Sequence, residues 1–336
     1  METKIYRMDQ QAIQEAAELV KKGELIAFPT ETVYGLGADA TSEEAVKKIY
    51  EAKGRPSDNP LIVHVADRHQ IKNYVEEIPP LAERLIDHFM PGPFTIILKS
   101  NGKIAPTVTA GLDTVAIRIP DHPAGRNFIR ETGLPIAAPS ANISGKPSPT
   151  KARHVAEDLN GRIAGIIDGG ATGVGLESTV VDGTGELPVI LRPGGVTAEE
   201  IKAITDIAES PARQESDKPK APGMKYNHYE PDAPMILIDG DAGFFQQQIN
   251  QFSSKGEKVA VIASNELAEK LETEHIYQCG PRINLKEVAV NLYEALRFFK
   301  KTDVDIILAE TFEDKGIGQA IMNRLTKAAQ DRISQK

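Results

Sequence analysis

Lys53-Gly54-Arg55-Pro56-Ser57-Asp58-Asn59-Pro60-Leu61-Ile62-Val63-His64 joins a helix to a strand through a turn that two prolines keep out of the helical region. The apolar run Leu61 to Val65 reads as a strand. Upstream, Thr41 with Glu44 makes a capping-box pattern for the helix that delivers Lys53 to the turn. Lys53 and Arg55 are thus two cations at the mouth of a strand, with His64 further along, and such a mouth suits a phosphate ligand. The alternative is a helix stopped at Gly54 that leaves both cations solvated near the negative end of its dipole.

The surrounding chain sets limits. Its 336 residues suffice for two domains, each with a core. With 40% hydrophobic and 26% charged residues it has the balance of an ordinary soluble protein. A formal net charge of −9 speaks against a protein whose main task is gripping bulk nucleic acid, because that needs broad phosphate neutralisation; any polyanion site must be local. The single cysteine, Cys279, excludes an internal disulfide and a cysteine-rich zinc site, and reads as a packed thiol in a reducing compartment. No run approaches the roughly 18 apolar residues of a membrane span, and the polar N-terminus lacks a signal-peptide core, so a cytoplasmic location is expected.

From the N-terminus, Ile13, Ala16, Ala17 and Val20 share one face of a helix expected over Asp9 to Lys22. A strand is expected from Leu25 to Phe28, and after Pro29 the polar, glycine-rich segment Thr30 to Gly37 places hydroxyls and backbone N–H groups at a strand end, where α/β sheets bind ligands. Helices are expected over Asp67 to Tyr74 and Leu81 to Met90, then strands at Phe94 to Lys99 and Thr114 to Pro120. Alternation puts Arg118 on the face of Thr114 and Ala116. A cation in so apolar a strand needs an anionic partner, either a carboxylate of the protein or one belonging to a ligand.

Pro135 to Thr150, PIAAPSANISGKPSPT, opens a short strand into a polar loop. Ser140, Asn142, Ser144 and Ser148, with Lys146, offer compact donors and acceptors for a triphosphate or ribose, although a plain surface loop has the same composition. Strands follow at Ile163 to Asp168, Glu177 to Val181 and Val189 to Arg192, then a helix capped by Thr197 with Glu200. The common phosphate loops, the dinucleotide glycine motif and the metalloprotease and hydrolase motifs are absent, and the seven histidines show no metal-ligand spacing.

PTETVYGLG from Pro29, KGRPSDNPLIVH from Lys53, PGPFT from Pro91, VAIRIP from Val115, PSAN from Pro139, ESTVVD from Glu177 and RPGG from Arg192 together resemble the YrdC-like domain of threonylcarbamoyl-AMP synthases. The motifs span nearly all of residues 9 to 205. The resemblance implies a twisted, mixed-sheet α/β fold around a basic cavity. It further implies a nucleotidyl transfer in which L-threonine, bicarbonate and ATP, with Mg2+, give threonylcarbamoyl-adenylate and pyrophosphate. The product would pass to a tRNA threonylcarbamoyl transferase complex that modifies adenosine next to the anticodon; whether tRNA binds directly is left open.

By the same resemblance, Lys53, Arg55, Ser140 and Asn142 form the catalytic signature. Arg55, Asn59, Thr114, Ser140, Ser148 and Arg192 contact ATP, and Thr32, His64, Arg118, Ala138 and Ser178 hold L-threonine. No metal ligand is expected from the protein.

Residues 206–234 change character, with prolines among charged and polar residues, and read as a linker. The segment from Ala221 to Pro234 resembles the linker of the longer family members, which folds over the active site and brings Tyr229 to the nucleotide. From 235 the chain alternates strands (Met235 to Asp239, Lys258 to Ala263, His275 to Gln278, Val304 to Ala309) with helices (Ala242 to Ser253, Asn265 to Glu272, Leu285 to Lys300, Gln319 to Gln330), which predicts a smaller Rossmann-like parallel domain. The expected division is 1–205, 206–234 and 235–336. Two rival functions share parts of this pattern: a tRNA-binding module without chemistry, and a carbamoyltransferase of the hydrogenase-maturation type, whose cysteine-rich zinc module a single cysteine excludes.

Overall fold

Short apolar segments between capped helices build a sheet whose strands are buried along most of their length. The computed structural model describes residues 2–208, 219 and 228–336, with the backbone alone at 301. Most of the expected linker, 209–218 and 220–227, lies outside the described residues.

The described residues form two units, one running to residue 208 without Gly145–Pro147 and including 219, the other comprising Gly145–Pro147 and the chain from 228 onward. The first holds strands β1 (Lys4–Tyr6), β2 (Ile26–Phe28), β3 (Gly35–Asp39), β4 (Ile62–His64), β5 (Phe94–Lys99), β6 (Thr114–Arg118), β7 (Ile136–Ala137), β8 (Gly165–Ile167), β9 (Thr179–Asp182) and β10 (Val189–Arg192). They lie in the order β1-β8-β2-β3-β7-β4-β6-β5-β9-β10. The sheet is mixed: β4 and β6 run parallel with His64 opposite Arg118, and β5 runs antiparallel to β6 but parallel to β9.

The sheet carries cores on both faces, and alternation assigns neighbours to each. Ile26 and Phe28 pack with Ile13, Val20, Phe128 and Ile129, whereas Leu25 and Ala27 pack with Val46, Ile49, Leu85 and Val155. A third, small cluster of Ile62, Ile97, Ala116 and Val180, backed by Leu191, stands apart.

Several local expectations shift. The helix Glu43–Lys53 is capped by Ser42, whose side chain accepts from the Ala45 N–H, because the Thr41 hydroxyl is already bonded to Asp39. Gly54 ends that helix in the left-handed conformation. Arg68–Asn73 is a 3-10 helix. The glycine-rich segment after Pro29 turns into β3, antiparallel to β2. Gly37 is required there, since a Cβ would lie 2.9 Å from the Ile136 side chain and 3.0 Å from the Phe28 ring. Helices Pro123–Thr132 and Ala152–Leu159 were not anticipated; the first is capped by the His122 ring, outside the usual N-cap residues.

In the second unit, β11 (Met235–Asp239), β12 (Val259–Ala263), β13 (His275–Gln278), β14 (Ile306–Glu310) and β15 (Asp331–Ser334) form a wholly parallel sheet in the order β13-β12-β14-β11-β15. Helices Ala242–Ser253, Leu285–Phe298 and Ile317–Ala328 join them. The expected helix after Ser264 stops early, at Ala268. Cys279 is buried with its thiol on the Ala263 carbonyl, and burial pushes its pKa up to about 12.

Candidate functional site

Arg118 closes β6, and strand alternation turns it onto the face of Ala116 and Thr114. Only 4% of it is exposed, so its charge has to be met inside the fold. Three acceptors meet it: Nε donates to the Gly92 carbonyl at 3.2 Å, Nη1 to Thr32 Oγ1 at 2.9 Å and Nη2 to Glu31 Oε1 at 2.5 Å. The anionic partner required by the sequence is therefore a carboxylate of the protein. A guanidinium has five N–H groups, so two are left over for a further acceptor.

His64 ends the neighbouring parallel strand β4, opposite Arg118 in register. Burial, and then the positive charge of Arg118, depress its pKa to about 3. The imidazole is therefore neutral in ordinary buffers, and its buried Nδ1 has no hydrogen-bond partner. Both side chains stand at the carboxyl ends of parallel strands, the usual position for ligands in α/β sheets.

Ser178 enters β9 beside them. Its hydroxyl lies 2.8 Å from Thr95 Oγ1, and Arg192 donates to its carbonyl from Nε at 3.2 Å and from Nη2 at 2.9 Å. Thr32, His64, Arg118, Ser178 and Arg192 thus gather where β4, β6 and β10 end and β9 begins. Ala138 adds backbone at the same strand set, its N–H bonded to the Ile62 carbonyl.

A second group sits toward the beginnings of β4 and β6. Asn59 precedes β4 and Thr114 opens β6. Asn59 is fully buried, yet neither atom of its side-chain amide has a partner. Arg55 Nη2 reaches its carbonyl at 3.4 Å. The apolar cluster of Ile62, Ile97, Ala116 and Val180 lies between the two groups.

Lys53 departs from the reading that left it solvated at the helix end. It is 2% exposed, and its ammonium donates to the carbonyls of Ser140 and Asn142 at 2.5 Å each, so it braces the polar loop after β7 from beneath. The Ser144 N–H returns to the Lys53 carbonyl. Ser148 donates to Glu177 at 2.6 Å, which links that loop to the residue before Ser178.

Two carboxylates, Glu31 and Glu177, were not singled out as site residues, although both lie in quoted motifs. The available signal was charge: buried Arg118 called for a carboxylate. Tyr229 belongs to the second unit, where its ring lies 5.4 Å from that of Tyr293 and 5.7 Å from the Arg324 guanidinium, with φ at 70°. There too, Arg297 donates to the Pro147 carbonyl, Lys146 pairs with Asp232, and the Glu230 N–H bonds the Gly145 carbonyl. Among the described residues no group of histidine, cysteine and acidic side chains has the arrangement of a metal site. Chemically, the first unit offers a buried guanidinium with spare donors, a neutral imidazole and, just before β4, an unpartnered side-chain amide.

Known proteins resemble this chain in sequence and fold. The Sua5/YciO/YrdC family model, described as telomere recombination, matches residues 18–194, and the model of the threonylcarbamoyl-AMP synthase C-terminal domain matches residues 196–330. A Bacillus subtilis threonylcarbamoyl-AMP synthase is 52% identical over 324 residues, covering 96% of this chain and 94% of that protein. A Pyrococcus abyssi threonylcarbamoyl-AMP synthase is 49% identical over 334 residues, covering 97% and 96%. The crystal structure of Pyrococcus abyssi Sua5 complexed with L-threonine superimposes with a TM-score of 0.94 at 46% identity, covering all of both chains.

Proposed function

This chain belongs to the Sua5/YciO/YrdC family in its two-domain, threonylcarbamoyl-AMP synthase form, and on that premise we propose that it makes threonylcarbamoyl-adenylate and pyrophosphate from L-threonine, bicarbonate or CO2, and ATP. The observation that carries this reading is the juxtaposition of Arg118, with two N–H groups to spare, and His64, with a buried unpartnered Nδ1. A guanidinium fork suits an α-carboxylate, and a neutral imidazole suits a hydroxyl or amine. Together they suit a hydroxylated amino acid.

In this reaction the threonine amine attacks the carbon of CO2, or of bicarbonate with loss of water, and gives up a proton to form the carbamate. A carbamate oxygen then attacks the α-phosphorus of ATP, and the bond to the bridging oxygen breaks as pyrophosphate leaves. The carbamate is itself the nucleophile, so the protein's task is to cancel charge and hold two anions in line. Thr32, His64, Arg118, Ala138 and Ser178 are assigned to threonine.

Arg55, Asn59, Thr114, Ser140, Ser148 and Arg192 are assigned to ATP, and the unpartnered Asn59 amide supports that assignment. Lys53, Arg55, Ser140 and Asn142 are the proposed catalytic signature, Lys53 acting through the loop it braces. Mg2+ enters with the triphosphate as part of the substrate.

Residues 1–205 are assigned the catalysis and 206–234 a lid that carries Tyr229, with 235–336 in support. The adenylate would pass to a tRNA threonylcarbamoyl transferase complex in the cytoplasm. No helix among the described residues is long and apolar enough to cross a membrane.

The test is pyrophosphate release from ATP by the purified protein, with threonine and bicarbonate omitted in turn. Release that requires both is expected. ATP binding without release in any combination would overturn the assignment.

A further inference from the structure

We propose that Glu31 is the positioning residue for amino-acid recognition, the one charged group that fixes the Arg118 guanidinium so that its two remaining N–H groups face the substrate carboxylate. The inference rests on the reading of Arg118 as the carboxylate-binding residue. Of the three acceptors on Arg118, a carbonyl and a hydroxyl are neutral; Glu31 alone carries a counter-charge. Glu31 is itself anchored at three points. Its Oε2 accepts the Asp121 N–H at 2.9 Å, its backbone carbonyl accepts the Val174 N–H at 2.8 Å, and the turn on which it stands is closed by Thr30 Oγ1, which accepts the N–H groups of Thr32 and Val33.

The side chain of Glu31 is 13% exposed and that of Arg118 is 4% exposed, so water cannot stand in for the lost partner at little cost. Without this carboxylate the buried cation would turn toward whatever acceptor or solvent it could reach, and the two N–H groups that no protein acceptor holds would be redirected with it. An N–H fork is useful only while its plane is held, since bidentate recognition depends on geometry as well as charge. Glu31 therefore acts on the substrate through Arg118.

The experiment compares wild type with Glu31→Gln, which keeps the shape and removes the charge. Equilibrium binding is measured for L-threonine, for L-threoninol, which lacks the carboxylate, and for ATP. The expected result is a loss of at least about tenfold in threonine affinity, the scale of a charge-assisted hydrogen bond, with threoninol and ATP little changed. Equal losses for threonine and threoninol would reduce Glu31 to a structural role and overturn the proposal, as would tighter threonine binding, which would make Glu31 a competitor for Arg118. If the glutamine variant does not fold, Glu31→Asp keeps the charge but withdraws it by one methylene and should show the same selective loss in smaller measure. Wild-type protein that binds threoninol as tightly as threonine would remove carboxylate recognition itself, so the wild-type ratio separates that failure from a failure of Glu31 alone.

Discussion

His64 and Arg118 stand opposite one another on parallel strands β4 and β6, and the guanidinium adds to burial in keeping the imidazole uncharged. The unfolded chain, in contrast, protonates that histidine at its ordinary pKa of about 6.5. A group whose folded pKa is depressed contributes stability that is complete above the unfolded value and is lost as pH falls. Between pH of about 6.5 and 3, His64 should cost the fold up to about 1.4 kcal/mol per pH unit. His64→Gln should flatten that part of the stability profile. Denaturation midpoints of both proteins from mildly acidic to neutral pH provide the check, and parallel profiles would contradict a neutral buried imidazole.

Arg118→Ala should weaken L-threonine binding by about a hundredfold, the value of a lost bidentate charge-assisted pair, and ATP binding far less. Binding titrations with each ligand alone decide this. Equal losses would contradict the carboxylate role.

Asn59 offers a trade between stability and binding. Its buried amide is unpartnered in the described structure, so Asn59→Leu removes a desolvated polar group and should leave the ligand-free protein as stable or more stable, by up to about 1–3 kcal/mol. The same change should weaken ATP binding. Melting temperature without ligand and ATP affinity should move in opposite senses; a stability loss with ATP affinity retained would show that the amide serves the fold.

Lys53→Met keeps the aliphatic stem and deletes the ammonium from beneath Ser140 and Asn142. Two carbonyls lose a charged donor, and destabilisation of roughly 2–4 kcal/mol is expected, with pyrophosphate release falling more steeply than ATP binding. Calorimetry and steady-state assays on the same preparation test this. Unchanged stability would mean that the brace carries little energy.

Truncation after Ala208 should leave the first unit folded but impair its retention of ATP. Urea denaturation reads the fold and equilibrium dialysis reads the nucleotide. Full ATP affinity in the truncated protein would remove the lid role proposed for the linker.

What could be read from the sequence follows from how local each signal is. In the second unit, strands Met235–Asp239 and His275–Gln278 and helix Ala242–Ser253 fall where the alternation puts them, because apolar runs and caps are written in neighbouring residues. The edge strands β1 and β15 left no such trace, since their exposed residues form no apolar run. Helix Pro123–Thr132 was hidden by an imidazole cap. In the site, burial made a carboxylate partner for Arg118 one of two possibilities, but Glu31 lies 87 positions away and only tertiary structure selects it. Lys53 illustrates the same limit: its helix-stop pattern was plain, whereas the two carbonyls that capture it belong to a loop 87 and 89 positions downstream.

The placement of Gly145–Pro147 in the second unit means that the chain leaves the first unit at residue 145 and returns at 148, and among the described residues it is in the second unit again from 228. The second unit is therefore not a single continuous stretch of the chain. Glu230, Asp232 and Arg297 hold a tripeptide flanked directly by Ser144 and Ser148. A chimaera that exchanged only the C-terminal domain between relatives would pair a foreign socket with a native plug. To be compatible, such a graft must carry both the tripeptide and the residues that receive it, so the two stretches are expected to behave as one unit of inheritance despite their separation in the chain.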